Sequence, residues 1–145
     1  MAGGRLETMK IELFLPMIPP SHTYQQGSRT AVRDGKVIRY QDEQLKDVKA
    51  KFTAYLSKYI PERPMGGALR LITKWCYPIK GNHRDGEYKT SKPDTENSLK
   101  LFKDVMTELN YWKDDAQVAS EITEKFWADI PGIYVSIEEL PPNGN

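Results

Sequence analysis

Residues 92–125 read KPDTENSLKLFKDVMTELNYWKDDAQVASEITEK, and this stretch places carboxylates where neither an ordinary helix nor an ordinary strand needs them. Leu99, Phe102, Val105, Met106 and Leu109 recur at helical spacing and predict a helix opening just after Pro93. Asp94 and Glu96 stand at its mouth. The helix is expected to end near Asn110; Tyr111, Trp112 and Lys113 form a turn, and Asp114 and Asp115 introduce an alternating strand through Val118. About 14 helical residues span about 21 Å, so the two acidic pairs lie at opposite ends of a straight helix. They converge only if the segment before the helix runs back along the strand after it, and that arrangement is the expectation.

Upstream, Lys10 to Leu15 alternates Ile11, Leu13 and Leu15 against polar neighbours, a core strand stopped by Pro16. Pro19, Pro20, Ser21 and His22 make a stiff bend. Ala31-Val32 and Val37-Ile38 flank Asp34-Gly35, a hairpin signature with Arg33, Lys36 and Arg39 crowded around it. Those cations could grip phosphates or simply discourage edge-to-edge pairing. Gln41 to Ile60 carries Leu45, Val48, Phe52, Leu56 and Tyr59 at helical spacing opposite a row of lysines, an amphipathic helix for a sheet face. Leu69 to Tyr77 reads as the strand in the middle of the sheet.

Pro78 to Thr90 contains only Ile79 and Tyr88 as large apolar residues but holds Lys80, Arg84 and Lys89. A loop of that length is usually functional or disordered, and with little apolar surface to pack it is expected to be mobile. It leads into Lys92-Pro93-Asp94, so it reads as a DNA-binding lid. Downstream, Val118 to Trp127 and Ile133 to Leu140 are expected as two antiparallel strands joined by residues 129–132. Residues 1–8 read as a tag remnant or disordered start, 9–140 as one domain, and 141–145 as a polar tail. The fold class is α+β: a mixed sheet of four or more strands with two main helices packed on one face.

With 145 residues and 39% hydrophobic content, the chain suits one domain with a modest core. One cysteine, Cys76, and two histidines argue against disulfides and against a His- or Cys-based metal site. No run of about 18 apolar residues or signal peptide is present, which points to the cytoplasm and away from membranes. Through Lys92 there are 17 basic and 9 acidic residues; from Pro93 onward, 4 basic and 11 acidic. That asymmetry suits a basic surface for a polyanion beside an acidic pocket for cations, although charges shared over an average surface would also produce it.

The central run resembles the RusA-type Holliday junction resolvases, crossover junction endodeoxyribonucleases whose pattern is Pro-Asp-x-Asp-Asn, a Lys four residues beyond the second acid, then Asp-Asp-x-Gln-Val. Here those positions read Pro93, Asp94, Thr95, Glu96, Asn97 and Lys100, and later Asp114, Asp115, Gln117 and Val118. Two departures stand out: Glu96 replaces the usual Asp, and Ser98-Leu99 follows Asn97 where Leu is usual directly after it. The resemblance implies a metal-dependent endonuclease that resolves four-way DNA junctions in recombination and repair. It further implies a bacterial or phage origin and a homodimer, whose two-fold symmetry suits two equivalent incisions.

Phosphodiester hydrolysis by a hard cation, Mg²⁺ with Mn²⁺ as a substitute, needs carboxylate oxygens and open positions for water and phosphate. Asp94, Glu96 and Asp115 are the expected ligands, and with Lys100 the expected catalytic set. Asn97, Asp114 and Gln117 are candidates to hold those ligands in place. Arg33, Lys36, Arg39, Lys80, Arg84, Lys89, Lys92 and Lys125 are candidate DNA contacts. Each has a plainer role to weigh: Asp94 as a helix cap, Lys100 as an i,i+4 partner of Glu96, Asp114-Asp115 as turn formers. A nuclease for other branched DNA, or a non-catalytic structure-specific DNA-binding module, are the competing functions.

Overall fold

The computed structural model describes residues 8–21, 30–33, 36–39 and 42–144. Its frame is a four-stranded mixed sheet in the order β1 (Lys10–Leu15), β6 (Gly132–Glu139), β4 (Leu69–Pro78), β5 (Val118–Ala128). β1 and β6 are antiparallel, β6 and β4 antiparallel, β4 and β5 parallel. β2 (Thr30–Arg33) and β3 (Lys36–Arg39) pair in a separate two-stranded sheet that matches Arg33 with Lys36. The side chains of Arg33, Lys36 and Arg39, the 34–35 tip and His22 lie outside the described residues.

The alternation along β4 decides which face is covered. Leu69, Leu71, Thr73, Trp75 and Tyr77 are buried while their neighbours are half-buried, as period-2 side-chain placement demands. Against that face pack α1 (Asp42–Leu56) and α2 (Glu96–Glu108). Phe52 of α1 and Phe102 of α2 meet Trp75 edge-on, at ring separations of 6.2 and 5.6 Å, and each other at 4.9 Å. Each such pair adds about 0.5–1.5 kcal/mol to the burial of its rings. Leu99, Phe102, Val105 and Met106 are all buried, so the helical spacing in the central run found the right face. In α1 the apolar row is buried only at its end: Phe52 and Leu56 are enclosed, whereas Leu45 stays at the surface, as does Tyr59 in the 3-10 turn that follows.

Two expectations about β5 change. β5 and β6 do run in opposite directions but are not neighbours, because β4 lies between them. The turn at 129–131 therefore crosses over a strand. The loop after β4 is also stitched to the edge of β5. Gly86 N donates to Trp127 O, Trp127 N to Glu87 O and Lys89 N to Lys125 O, at 2.8–3.0 Å, and Asp129 N donates to Asp85 Oδ1 at 2.8 Å. His83 stacks on Trp127 at 4.3 Å and Tyr88 on Phe126 at 4.8 Å. An imidazole and a phenol supply the contact area, and of the two only Tyr88 counts among the loop's apolar residues.

Glu139, at the end of β6, is the polar tie of the fold. Its carboxylate accepts Met9 N at 2.6 Å, Gly66 N at 2.7 Å and both Arg63 guanidinium nitrogens at 2.9 and 3.3 Å. The Arg63 hydrogen bond, assisted by the two backbone donors, holds the carboxyl down at about 2.

Candidate active site

α2 begins at Glu96, with Thr95 as N-cap making no side-chain hydrogen bond, so Asp94 is not the helix cap. It ends past Leu109 with Asn110 in the left-handed region at φ 65°, a conformation asparagine tolerates better than most residues. That bend sends Tyr111 and Trp112 into the core and delivers Asp114. The Asp114 side chain accepts Ala116 N at 2.9 Å, while Gln117 Oε1 accepts Lys113 N at 3.0 Å and Asp114 N at 3.1 Å, a reciprocal cap on the 3-10 turn Asp115–Gln117. Gln117 Nε2 also donates to Met65 O at 3.1 Å and Gly67 O at 3.0 Å. Asp114 and Gln117 are thus consumed in holding the turn, and the carboxylate left over is Asp115.

Asp115, Glu96, Asn97 and Lys100 line one groove of about 430 Å³ beside α2, together with Leu99, Lys103 and Glu121. Lys103 is bound to Glu121 at 2.8 Å. Asp94, Glu96, Asp115 and Lys100 have no side-chain hydrogen bond or ion pair among the described residues. In particular Lys100 does not close the i,i+4 pair with Glu96, so its ammonium faces the groove unclaimed.

The segment before the helix does run back along β5. Tyr88 bridges Phe126 antiparallel, and Lys125 Nζ donates to Ser91 O at 2.7 Å and Pro93 O at 2.9 Å. This brings Asp94 to the Lys125 end of β5, whereas Asp115 precedes its start; Glu96 and Asp115 line the groove, and Asp94 stands outside it. Among the described residues no three His, Cys, Asp or Glu gather closely enough to share a metal ion. The donor chemistry nevertheless suits Mg²⁺, which takes hard oxygens and is commonly held by one or two carboxylates plus waters and substrate phosphates. Glu96 and Asp115, uncommitted and on an open groove, are such donors.

Of the candidate DNA contacts, Lys80, Arg84 and Lys92 are exposed. Lys125 is occupied by two backbone carbonyls. Lys89 does not project from the loop: it is buried at 8% exposure, its ammonium donating to Ser91 Oγ at 2.6 Å and lying 4.1 Å over the Trp127 ring. Burial, then the positive charges of Lys125 and Lys80, lower its pKa. Sequence reasoning missed Glu121 and Lys103 in the groove. Lys103 lies two turns beyond Glu96 on the same helix face, a spacing that could have revealed it.

The sequence matches the family described as Endodeoxyribonuclease RusA over residues 18–138. The chain belongs to that family. Among curated relatives, the RusA-family chain is 42% identical over 72 residues to a protein of Lactococcus phage r1t named crossover junction endodeoxyribonuclease rusA, covering 50% of this chain and 55% of the phage protein. The chain thus spans little more than half the length of that relative. It is also 28% identical over 127 residues to the uncharacterized protein YqaN of Bacillus subtilis (strain 168), covering 80% of this chain and 89% of that protein. No helix among the described residues is long and apolar enough to cross a membrane.

Proposed function

We propose that this chain is a metal-dependent endonuclease that cuts four-way DNA junctions, working as a homodimer. The observation that carries the reading is the groove beside α2, where Glu96, Asp115 and Lys100 converge without internal partners. Like charges left unpaired along one groove are costly unless a cation neutralises them. A bound Mg²⁺ would supply charge neutralisation and a more acidic water. Glu96 and Asp115 of the groove, together with Asp94, are the residues to hold it. Lys100 is placed to meet a phosphate oxygen, and the Asp114–Gln117 cap keeps Asp115 turned to the groove.

A second copy answers the separation of Asp94 from Asp115: in the homodimer, Asp94 of one chain completes the groove where Glu96 and Asp115 of the other stand, giving two sites for two incisions. The sheet face away from the helices leaves Phe14 and Ile122 exposed, so apolar surface for further association is present.

The test is cleavage of a synthetic four-way junction against linear duplex, with and without Mg²⁺. Junction-selective, Mg²⁺-dependent incision supports the reading. Cleavage of other branched forms alone would redirect it to a different branched substrate, and tight junction binding without incision to a binding module. Mixing inactive Asp94→Asn and Asp115→Asn chains tests the shared site. Recovered incision supports it, because some mixed dimers carry one intact set of acids, and no recovery places each set within one chain.

A further inference from the structure

A second cavity, of about 330 Å³, lies behind Pro93 and is walled by Lys80, Lys89, Lys92, Ser21 and the rings of Tyr77 and Trp127. Three lysines line it and, among the described residues, no Asp or Glu does. Lys89 is the informative one. A buried ammonium carries three N–H donors, yet among the described residues Lys89 has Ser91 Oγ as its one hydrogen-bond acceptor and otherwise rests on the faces of Trp127 and Tyr77, at 4.1 and 5.4 Å. Trp127, 7% exposed, also stacks against His83 at 4.3 Å, so the ring supports the cation and is not free to stack on a base. Burying a cation beside other cations is unfavourable unless an anion completes the site.

We propose that this cavity binds a phosphate group, with Lys89 as its buried anchor and Lys80 and Lys92 as its exposed flanks. Pro93 forms part of its wall and leads directly into Asp94, so a phosphodiester held there is a near neighbour of the one delivered to the groove. Resting on the endonuclease reading, the cavity sets the register of the strand: it fixes one backbone phosphate so that a defined neighbour reaches Glu96 and Asp115. The group recognised is a phosphate oxyanion, supplied by a DNA backbone diester or by free phosphate.

The experiment is metal-free binding of a DNA junction carrying a single uncharged methylphosphonate, moved one linkage at a time past the branch. In the unaltered protein one position should lower affinity roughly tenfold, and in Lys89→Met that position should become indistinguishable from its neighbours. Lys80→Met/Lys92→Met, changed at exposed positions, should blunt the same position if Lys89→Met proves unstable. Inorganic phosphate is the second arm. A shift of the Lys89 ammonium resonance at millimolar phosphate, without position dependence on DNA, would assign the cavity to free phosphate. No positional effect and no phosphate-induced shift would overturn the proposal. Because no metal or incision enters the assay, it stands apart from failure of the endonuclease reading.

Discussion

Lys125 Nζ sits 2.9 Å from the carbonyl oxygen of Pro93, and through that bond β5 holds the chain immediately ahead of Asp94. A lysine set directly after an acidic motif invites assignment to the DNA phosphate backbone; here the ammonium already serves two carbonyls of its own chain. Lys125→Met should cost about 1–2 kcal/mol in urea-measured stability, since charge-assisted hydrogen bonds at a partly exposed site are worth about that. Incision should fall at least tenfold while the salt dependence of DNA binding stays unchanged. A flatter salt slope with unchanged stability would return Lys125 to the DNA contacts.

Asp94→Asn and Asp115→Asn should each abolish Mg²⁺-dependent incision and leave junction affinity equal or higher, because negative charge is removed from the groove and no phosphate contact is lost. Glu96→Gln should be nearly as damaging. Glu96→Asp should retain incision with an altered Mg²⁺ or Mn²⁺ requirement, the shorter arm moving the carboxylate. Full turnover by any of the amide variants would remove that residue from the ligand set.

Exposed Lys80 and Arg84 on the loop along β5 should contribute to non-specific grip. Each phosphate contact contributes about −0.9 to the log–log slope of affinity against salt. Lys80→Ala/Arg84→Ala should therefore flatten that slope by up to about two units on junction and duplex alike. An unchanged slope would move the basic contact surface toward the β2–β3 hairpin.

Much of this layout was legible in the residues. The apolar rows of α2, β1 and β4 mark the core, because burial on one face imposes a period that sequence displays directly. Four motif residues, Glu96, Asn97, Lys100 and Asp115, line one groove, and the turn-forming role weighed for Asp114 holds. Three things were not legible. The parallel pairing of β5 with β4 depends on which strand inserts between two others, a long-range choice with no local mark. The placement of Lys89 depends on Trp127, 38 positions away. The separation of Asp94 from Asp115 depends on how far the chain ahead of the helix runs along β5, which no spacing reports.

Glu139 makes a pH prediction with a definite sign. Its folded carboxyl lies near 2 against an ordinary 4.5, so the stability it contributes is fully present above about pH 4.5 and disappears as pH falls toward 2. That difference corresponds to roughly 3 kcal/mol. Glu139→Gln should lose about 2–3 kcal/mol at pH 7 and show a shallower acid limb in denaturant titrations between those pH values. A parallel acid limb in the two proteins would show that Arg63 does not hold the charge.

Gly132 at the start of β6 is covered by the Phe14 ring: a Cβ at this position would collide with Phe14 Cζ and both Cε atoms. Phe14 is 37% exposed, so the ring can swing outward, and Gly132→Ala should cost only about 1–2 kcal/mol. In a Phe14→Ala background the same change should be close to neutral. Equal costs in both backgrounds would place the effect in the backbone of β6.

The Met9–Glu139 hydrogen bond spans 130 positions and brings the start of β1 to the end of β6. The two ends of the folded unit therefore meet, and the order in which the chain is threaded becomes separable from the shape it makes. A short linker from residue 140 back to residue 9, with new ends opened at Ile130, which is 74% exposed, would sever no bond of the main sheet, since β5 and β6 are not paired. Such a rearranged chain would begin with β6 and finish with β5, and would present the same groove.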